Sequence, residues 1–367
     1  MTDLKQPIIL LTGGGTAGHV TPNIALIEYF QTTQSARLMY VGSKNGMERQ
    51  LIESISVPYY AITSAKLRRY LSWRNLLIPF QLLRGIFQSI KICYQHKPHV
   101  VFSKGGFIAL PVVIAAWIYR IPVVIHESDL TLGLANRLSV YFARIVCVTF
   151  PKTATQFHNK AKIKVTGLPI RKTLRQGDAA RGQEWLSFNR LLSKPILLVW
   201  GGSLGALQLN DAIRRLIPRL LPTFQIVHLC GQAKTHPDFN AITGYRQFEY
   251  LDAHLANVMA CADLVISRAG ATALYELLIL QKPHILCPLS QQASRGDQIQ
   301  NAQYLESLGL STVIYPETLN DEVLFSTVMA CHQKLPSLKQ HLSTVHWPEA
   351  TEMIAEQLQS LGLGQFQ

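Results

Sequence analysis

Two glycine-rich turns, Gly13-Gly14-Gly15-Thr16-Ala17-Gly18-His19 and Gly201-Gly202-Ser203-Leu204-Gly205, each close a continuously apolar run and each open a helix-like stretch. The runs before them, residues 8–11 and 196–200, do not alternate, which is the pattern of strands buried on both faces of a parallel sheet. A strand, a glycine turn and a helix start together make an anion cradle, because the first amides of a helix lack intrahelical acceptors. Such a unit used twice, about one domain apart, predicts an α/β chain of two Rossmann-like, doubly wound parallel-sheet domains facing each other across a cleft.

The length of 367 residues suits two domains, each with its own core. Strand-like runs at 38–41, 100–103, 123–126 and 145–149 complete the first rhythm, with helices expected from near Pro22, Met47, Trp73, Pro111 and Leu132. Runs at 225–230, 248–251, 264–267, 284–288 and 312–315 complete the second. Turn residues in Val165-Thr166-Gly167-Leu168-Pro169-Ile170-Arg171 place the boundary there. The domains are therefore expected at 1–168 and 169–345, with a helix in 346–367 packing back on the first.

Six cysteines without paired spacing point to reduced core thiols rather than a zinc cage or a disulfide framework. Too few apolar residues precede the first turn for a signal peptide, and the longest apolar stretch, 107–119, is broken by Pro111 and too short to span a bilayer, so neither export nor a membrane span is expected. The formal charge of +13 is unevenly placed: residues 54–126 contain no Asp or Glu. That window interleaves Lys66, Arg68, Arg69, Arg74, Arg84 and Lys104 with Trp73, Leu77, Phe80 and Phe87, a surface suited to anionic lipid or nucleic acid.

Several residues carry chemistry. His19 follows the first turn, where a helix start disfavours imidazolium and leaves a neutral ring able to accept a proton. Ser203 and its neighbouring amides suit a pyrophosphate. In Ser267-Arg268-Ala269-Gly270-Ala271-Thr272-Ala273-Leu274-Tyr275-Glu276, small residues admit a ligand to the backbone and Glu276 can accept from both hydroxyls of a ribose. Neither glycine turn ends in Gly-Lys-Ser/Thr, which disfavours ATP or GTP hydrolysis. No Asp-any-Asp triplet occurs and carboxylates are sparse, so a diphosphate is expected to be neutralised by helix dipoles and by cations such as Arg171, with no metal cofactor. Gly13, Gly15 and Gly18 also fit the dinucleotide spacing, which keeps an NADP-dependent oxidoreductase as an alternative. NAD would need an acidic end to the second strand, and here that strand ends Val41-Gly42-Ser43-Lys44. A non-enzymatic basic scaffold is a third reading, against which the doubled cradle argues.

Residues 13–22 (Gly-Gly-Gly-Thr-Ala-Gly-His-Val-Thr-Pro), 103–107 (Ser-Lys-Gly-Gly-Phe), 121–129 (Ile-Pro-Val-Val-Ile-His-Glu-Ser-Asp), 133–136 (Gly-Leu-Ala-Asn), 201–206 (Gly-Gly-Ser-Leu-Gly-Ala) and 267–276 occur in an order that resembles the MurG family. These are the N-acetylglucosaminyltransferases that convert lipid I to lipid II in peptidoglycan synthesis. The resemblance implies a GT-B fold whose first domain handles the acceptor and whose second binds the nucleotide sugar. It implies inverting transfer of N-acetylglucosamine from UDP to the C4 hydroxyl of undecaprenyl-pyrophosphoryl-MurNAc-pentapeptide, at the cytoplasmic face of the bacterial membrane and without nucleic acid. A related transferase with another acceptor is the near alternative.

By matching motif, Thr16, Ala17 and Gly18 approach the sugar and diphosphate, with His19 at the reacting end, and Gly14, Gly15, Gly105 and Gly106 take the acceptor pyrophosphate. Arg171 and Ser203 hold the donor, Leu251 offers backbone to uracil, residues 271–276 line the nucleotide and Gln298 contacts the sugar. Many members have Glu-Gln-Asn where this chain has Glu127-Ser128-Asp129, so a sugar contact made by an amide falls here to the Asp129 carboxylate. The proton acceptor stays open between His19, Glu127 and Asp129. The acid-free window is expected to dock on anionic inner-leaflet lipid through Arg68, Arg69, Trp73, Arg74, Leu77, Phe80 and Arg84.

Overall fold

The computed structural model describes residues 6–64, 78–188, 194–201 and 206–364. The chain divides into two units, Met1–Arg171 with Pro348–Gln367, and Lys172–Trp347. The first unit carries a seven-stranded sheet in the order β3-β2-β1-β4-β5-β6-β7, parallel throughout. Its strands are β1 Ile8–Thr12, β2 Arg37–Ser43, β3 Tyr59–Ile62, β4 Val100–Ser103, β5 Val123–Glu127, β6 Ile145–Val148 and β7 Ile163–Val165. The strand order reverses between β1 and β4, so the turns after β1, β2, β4 and β5 gather at the carboxyl edge where α/β sheets bind ligands.

Central strands β1, β4 and β5 are almost wholly buried because helices cover both faces, and this is why their sequences are unbroken apolar runs. On one face Ile9, Leu11, Phe30 and Phe102 pack with Ile354, Ala355 and Leu358 of the helix Ala350–Leu363. On the other, Leu10, Val101 and Ile125 pack with Val112, Val113 and Ala116 of the helix Ala109–Ile118. Gly362 lets the C-terminal helix approach closely: a Cβ there would stand 2.8 Å from Pro7.

The second unit holds a six-stranded parallel sheet, order β10-β9-β8-β11-β12-β13. Its strands are β8 Ile196–Trp200, β9 Gln225–Leu229, β10 Tyr245–Phe248, β11 Leu264–Ser267, β12 His284–Leu286 and β13 Thr312–Val313. Leu197, Val199, Ile213, Ile226 and Ile266 form its core with helices Leu207–Leu220 and Asp321–Gln333.

Two sequence expectations shift. Pro22 lies inside the helix Ala17–Thr33 instead of in its first turn, and its ring removes the amide that would bond the Gly18 carbonyl. The strand expected at 248–251 runs instead over Tyr245–Phe248, leaving Leu251 in the loop beyond it. Trp73, near which a helix is expected to begin, lies outside the described residues, and that helix is described over Ile78–His96. All six cysteines are free and buried, and burial pushes the Cys93, Cys147 and Cys287 thiols up to about 12. Among the described residues no helix is long and apolar enough to cross a membrane.

Candidate active site

In the first unit β1 delivers Gly13-Gly14-Gly15-Thr16 to the start of the helix Ala17–Thr33. The turn is pinned from below. Tyr40 Oη donates to the Gly13 carbonyl at 2.7 Å, and Asn23 Nδ2 donates to Tyr40 Oη at 3.0 Å and to the His19 carbonyl at 3.3 Å. Glu48, wholly buried in the first turn of the helix Met47–Glu53, accepts from the Ser43 amide at 3.0 Å, from the Ser43 hydroxyl, and from the Gly15 amide at 3.3 Å. Gly14 is glycine because its Cβ would stand 2.6 Å from the Glu48 carboxyl.

The Gly15 amide is turned toward Glu48, and the space where a Gly15 Cβ would point is open. Glu48→Ala removes the acceptor of two partly buried amides, and an unfolding free energy lower by roughly 1–3 kcal/mol is expected. Denaturant titration checks this, and a loss under about 0.5 kcal/mol, the scale of ordinary surface changes, would contradict the role.

His19 projects over the turn. Its Nδ1 lies 3.1 Å from the Gly14 carbonyl oxygen and 3.1 Å from Thr16 Oγ1. A carbonyl only accepts, so the bond to Gly14 assigns the proton to Nδ1 and leaves Nε2 as the basic nitrogen of the neutral ring. A second turn, Gly105-Gly106, follows β4 with φ of +88° and +83°, and a Cβ on Gly106 would stand 2.8 Å from the Gly14 carbonyl. The structure thus brings Gly14, Gly106 and His19 together.

Glu127 ends β5, is buried, and has both oxygens occupied. Oε1 accepts from the Asp129 amide at 3.1 Å, and Oε2 from the Gly133 amide and Asn136 Nδ2, each at 2.9 Å. This carboxylate organises the loop that carries the half-buried Asp129. Beside it, His126 donates from Nε2 to the Gly167 carbonyl at 2.7 Å. Burial, with the Lys104 charge adding to it, holds His126 well below the usual histidine range, so it is a neutral tether.

Lys104 is a correction. The sequence places it on a basic surface, yet it is 1% exposed and its ammonium donates to Ser128 Oγ. Of the basic patch, Arg68, Arg69, Trp73, Arg74 and Leu77 lie outside the described residues, while Phe80 (71% exposed) and Arg84 share an exposed helix face with Leu83 and Phe87. Arg171 ends the first unit close enough to Glu28 to oppose the rise that burial gives its carboxyl.

In the second unit Gly202, Ser203, Leu204 and Gly205 lie outside the described residues. The turn after β11 leads through Gly270 into the helix Ala271–Ile279. Two residues of the helix Asp297–Ser307 brace that turn. Asn301 Nδ2 donates to the Ala269 carbonyl at 3.2 Å, and Gln298, whose Oε1 accepts from the Leu289 amide at 3.1 Å, has its Nε2 3.9 Å from a Cβ built on Gly270. Ala271 is buried, Thr272 and Ala273 are half-buried, and Glu276 is 3% exposed. Leu274 and Tyr275 are fully buried, with the Tyr275 ring edge-on to Trp347 at 5.7 Å between centroids. Arg268, given no role by the sequence reading, donates to the Cys287 carbonyl at 2.8 Å, and its burial holds its pKa down. Among the described residues no cluster of three His, Cys, Asp or Glu side chains could hold a metal ion.

Residues 9–148 match the model of the glycosyltransferase family 28 N-terminal domain, and residues 196–357 that of its C-terminal domain. The chain is 49% identical over 349 residues, 95% of each chain, to the UDP-N-acetylglucosamine–N-acetylmuramyl-(pentapeptide) pyrophosphoryl-undecaprenol N-acetylglucosamine transferase of Legionella pneumophila (strain Paris). To the protein of the same name from Lachnoclostridium phytofermentans it is 52% identical over 320 residues, 87% of this chain and 89% of that one. Among solved structures, MurG of Acinetobacter baumannii superimposes with a TM-score of 0.72 at 26% identity, covering 96% of this chain and 99% of that one.

Proposed function

The chain belongs to glycosyltransferase family 28, and on that premise we infer that it transfers N-acetylglucosamine from UDP-N-acetylglucosamine to lipid I, the undecaprenyl-pyrophosphoryl-linked muramyl pentapeptide, giving lipid II. The observation that carries this is the 49% identity, along 95% of both chains, to the Legionella transferase. The two-domain fold is that of a GT-B enzyme, and hydride transfer on NADP gives way to the family assignment.

The first unit takes the acceptor. His19 Nε2 removes the proton from the C4 hydroxyl of the muramyl sugar as that oxygen bonds to the anomeric carbon of the donor. The bond from that carbon to the diphosphate breaks on the opposite face, so the configuration inverts, and UDP leaves with the electron pair. The fixed bond from His19 Nδ1 to the Gly14 carbonyl supports this role, since it keeps the lone pair on Nε2 and holds the ring in place. Asp129 accepts from the sugar hydroxyls.

The second unit holds UDP-N-acetylglucosamine, with Glu276 on the ribose, Gln298 near the sugar, Leu251 against uracil through its backbone, and Ser203 on phosphate. Helix starts and Arg171 balance the diphosphate, so no dedicated metal is required. The exposed row of Phe80, Leu83, Arg84 and Phe87 supports peripheral docking on anionic lipid at the cytoplasmic face of the membrane.

One assay tests these readings together. Purified chain, UDP-N-acetylglucosamine and lipid I in vesicles should release UDP at a rate that requires both substrates, is unchanged by EDTA, and is faster on anionic than on zwitterionic vesicles. UDP release independent of lipid I would overturn the acceptor assignment. Loss of rate with EDTA would overturn the metal-independent reading, and equal rates on the two vesicle types would overturn the docking.

A further inference from the structure

The loop that joins β10 to the helix Leu255–Cys261 carries Leu251, and its polar contacts fix the parts on either side of that residue. Before it, the Gly231 amide donates to the Glu249 carbonyl at 3.2 Å and Tyr250 Oη donates to Gln232 Oε1 at 3.3 Å. After it, the Leu255 amide donates to the Asp252 carbonyl at 3.3 Å. Among the described residues the Leu251 amide and carbonyl make no hydrogen bond, although the residue is only 8% exposed. One backbone donor and one acceptor there are left to a ligand or to water.

Both ends of this loop are held by a side chain from a third element of the same unit. Trp185, in the last turn of the helix Ala179–Leu186, has its ring 5.0 Å from that of Phe248, the last residue of β10. The same ring stacks on His254, the residue before the next helix, at 4.2 Å and 15°. Phe248 and His254 are the two flanks of residues 249–253, so one indole spans the loop's base. Next to it the Arg246 guanidinium of β10 lies 5.7 Å over the Phe188 ring. The helix carrying Trp185 is itself fixed. Gly177 and Gly182 let it approach so closely that a Cβ on either would overlap the Ala256 or Asn257 carbonyl, and the Asp178 amide donates to Asn257 Oδ1 at 2.8 Å. Stacked rings carry a directional preference beyond the area they bury, so the clamp sets position as well as stability.

We propose that Trp185 is a positioning residue for the donor nucleoside: by holding Phe248 and His254 it fixes the loop on which the Leu251 backbone meets uracil, and so sets the choice of base. This rests on the donor reading above and deepens it. Uracil presents an N–H donor beside a carbonyl acceptor, which a backbone carbonyl and amide complement, whereas cytosine presents the reverse pair. A loop that shifts loses those bonds to uracil and loses the penalty against cytosine with them.

The test measures UDP and CDP binding by calorimetry, with steady-state kinetics on UDP-N-acetylglucosamine, for the wild type, Trp185→Leu, Trp185→Phe and His254→Ala. Trp185→Leu should weaken UDP binding by about tenfold or more, the scale of a small misplacement of a contact, and should lower the preference for UDP over CDP. Its donor KM should rise by the same factor with kcat within about twofold, since the nucleoside is held equally in ground and transition states. Trp185→Phe keeps a ring and should return UDP binding to within about threefold of wild type. His254→Ala removes an exposed side chain without opening the core, so it decides the question even if Trp185→Leu fails to fold: the UDP preference should fall in the same direction. UDP binding unchanged in Trp185→Leu, or a UDP-to-CDP ratio unchanged in both Trp185→Leu and His254→Ala, would overturn the proposal and leave Trp185 a packing residue. A wild type that binds neither nucleotide would overturn the donor reading itself.

Discussion

Replacing His19 with alanine is expected to lower kcat by about 100- to 10,000-fold, the range for loss of a positioned proton acceptor. The donor KM should stay within about threefold, because the substitution removes an interaction made in the transition state and leaves ground-state binding alone. The geometry supports a large effect. Nδ1 is within hydrogen-bond distance of the Gly14 carbonyl, which fixes the ring, and the ring stands where the Gly14 and Gly106 turns meet. Losing the two Nδ1 contacts would by itself lower stability by about 1 kcal/mol, too little to unfold the chain. A thermal midpoint within a few degrees of wild type would separate chemistry from folding. A kcat within threefold of wild type would move the proton acceptor to Asp129, and Asp129→Asn would then show the larger loss.

The second large effect is expected at Glu276. A carboxylate accepting from both ribose hydroxyls makes two charge-assisted bonds, each of roughly 1.5–3 kcal/mol, so Glu276→Ala should raise the KM for UDP-N-acetylglucosamine by about 100-fold or more. The effect should fall on KM with kcat nearly unchanged, since the ribose is held equally in ground and transition states. Glu276 is nearly fully buried in the second turn of the helix Ala271–Ile279, after a turn that Gln298 and Asn301 brace from a neighbouring helix. Steady-state kinetics with varied donor decides it: a drop in kcat at constant KM would place Glu276 at the reacting end instead of on the nucleoside.

Much of this fold is legible in the sequence because the central strands must be. β1, β4, β5, β8 and β11 are covered on both faces, so their apolar runs cannot be interrupted, and each is found where its run lies. Strands near the edges escape the same reading. β3 (Tyr59–Ile62) and β7 (Ile163–Val165) are short and partly exposed: β3 reads Tyr-Tyr-Ala-Ile with only Ile62 buried, and in β7 Lys164 bonds Gln357, so neither stands out as a strand covered on both faces. β10 reads Tyr-Arg-Gln-Phe with only its first residue buried, which is why the apolar Phe248 and Leu251 draw the eye to the wrong register.

The site divides in the same way. Glycine turns and His19 announce themselves because their chemistry is local. Glu48 and Lys104 do not, because each acts on a turn that belongs to a different strand. Glu48 follows β2 and grips the turn after β1, while Lys104 follows β4 and lies under the turn after β5. Only the strand order β2-β1-β4-β5 makes those pairs neighbours. The local hint for Glu48 was an acid in the first turn of a helix after Gly46, a favourable place for negative charge. For Lys104 the pattern misled, since a cation in an acid-free window reads as surface until the core around it is known.

The central claim is that this chain joins one sugar to one hydroxyl, and the product states it most directly. Lipid I and UDP-N-acetylglucosamine incubated with the purified chain, and the product lipid then analysed by mass spectrometry and proton NMR, should give a β-configured N-acetylglucosamine on the C4 oxygen of the muramyl residue, with one UDP per linkage. Free N-acetylglucosamine with the lipid unmodified, an α linkage, or attachment at any other position would contradict it.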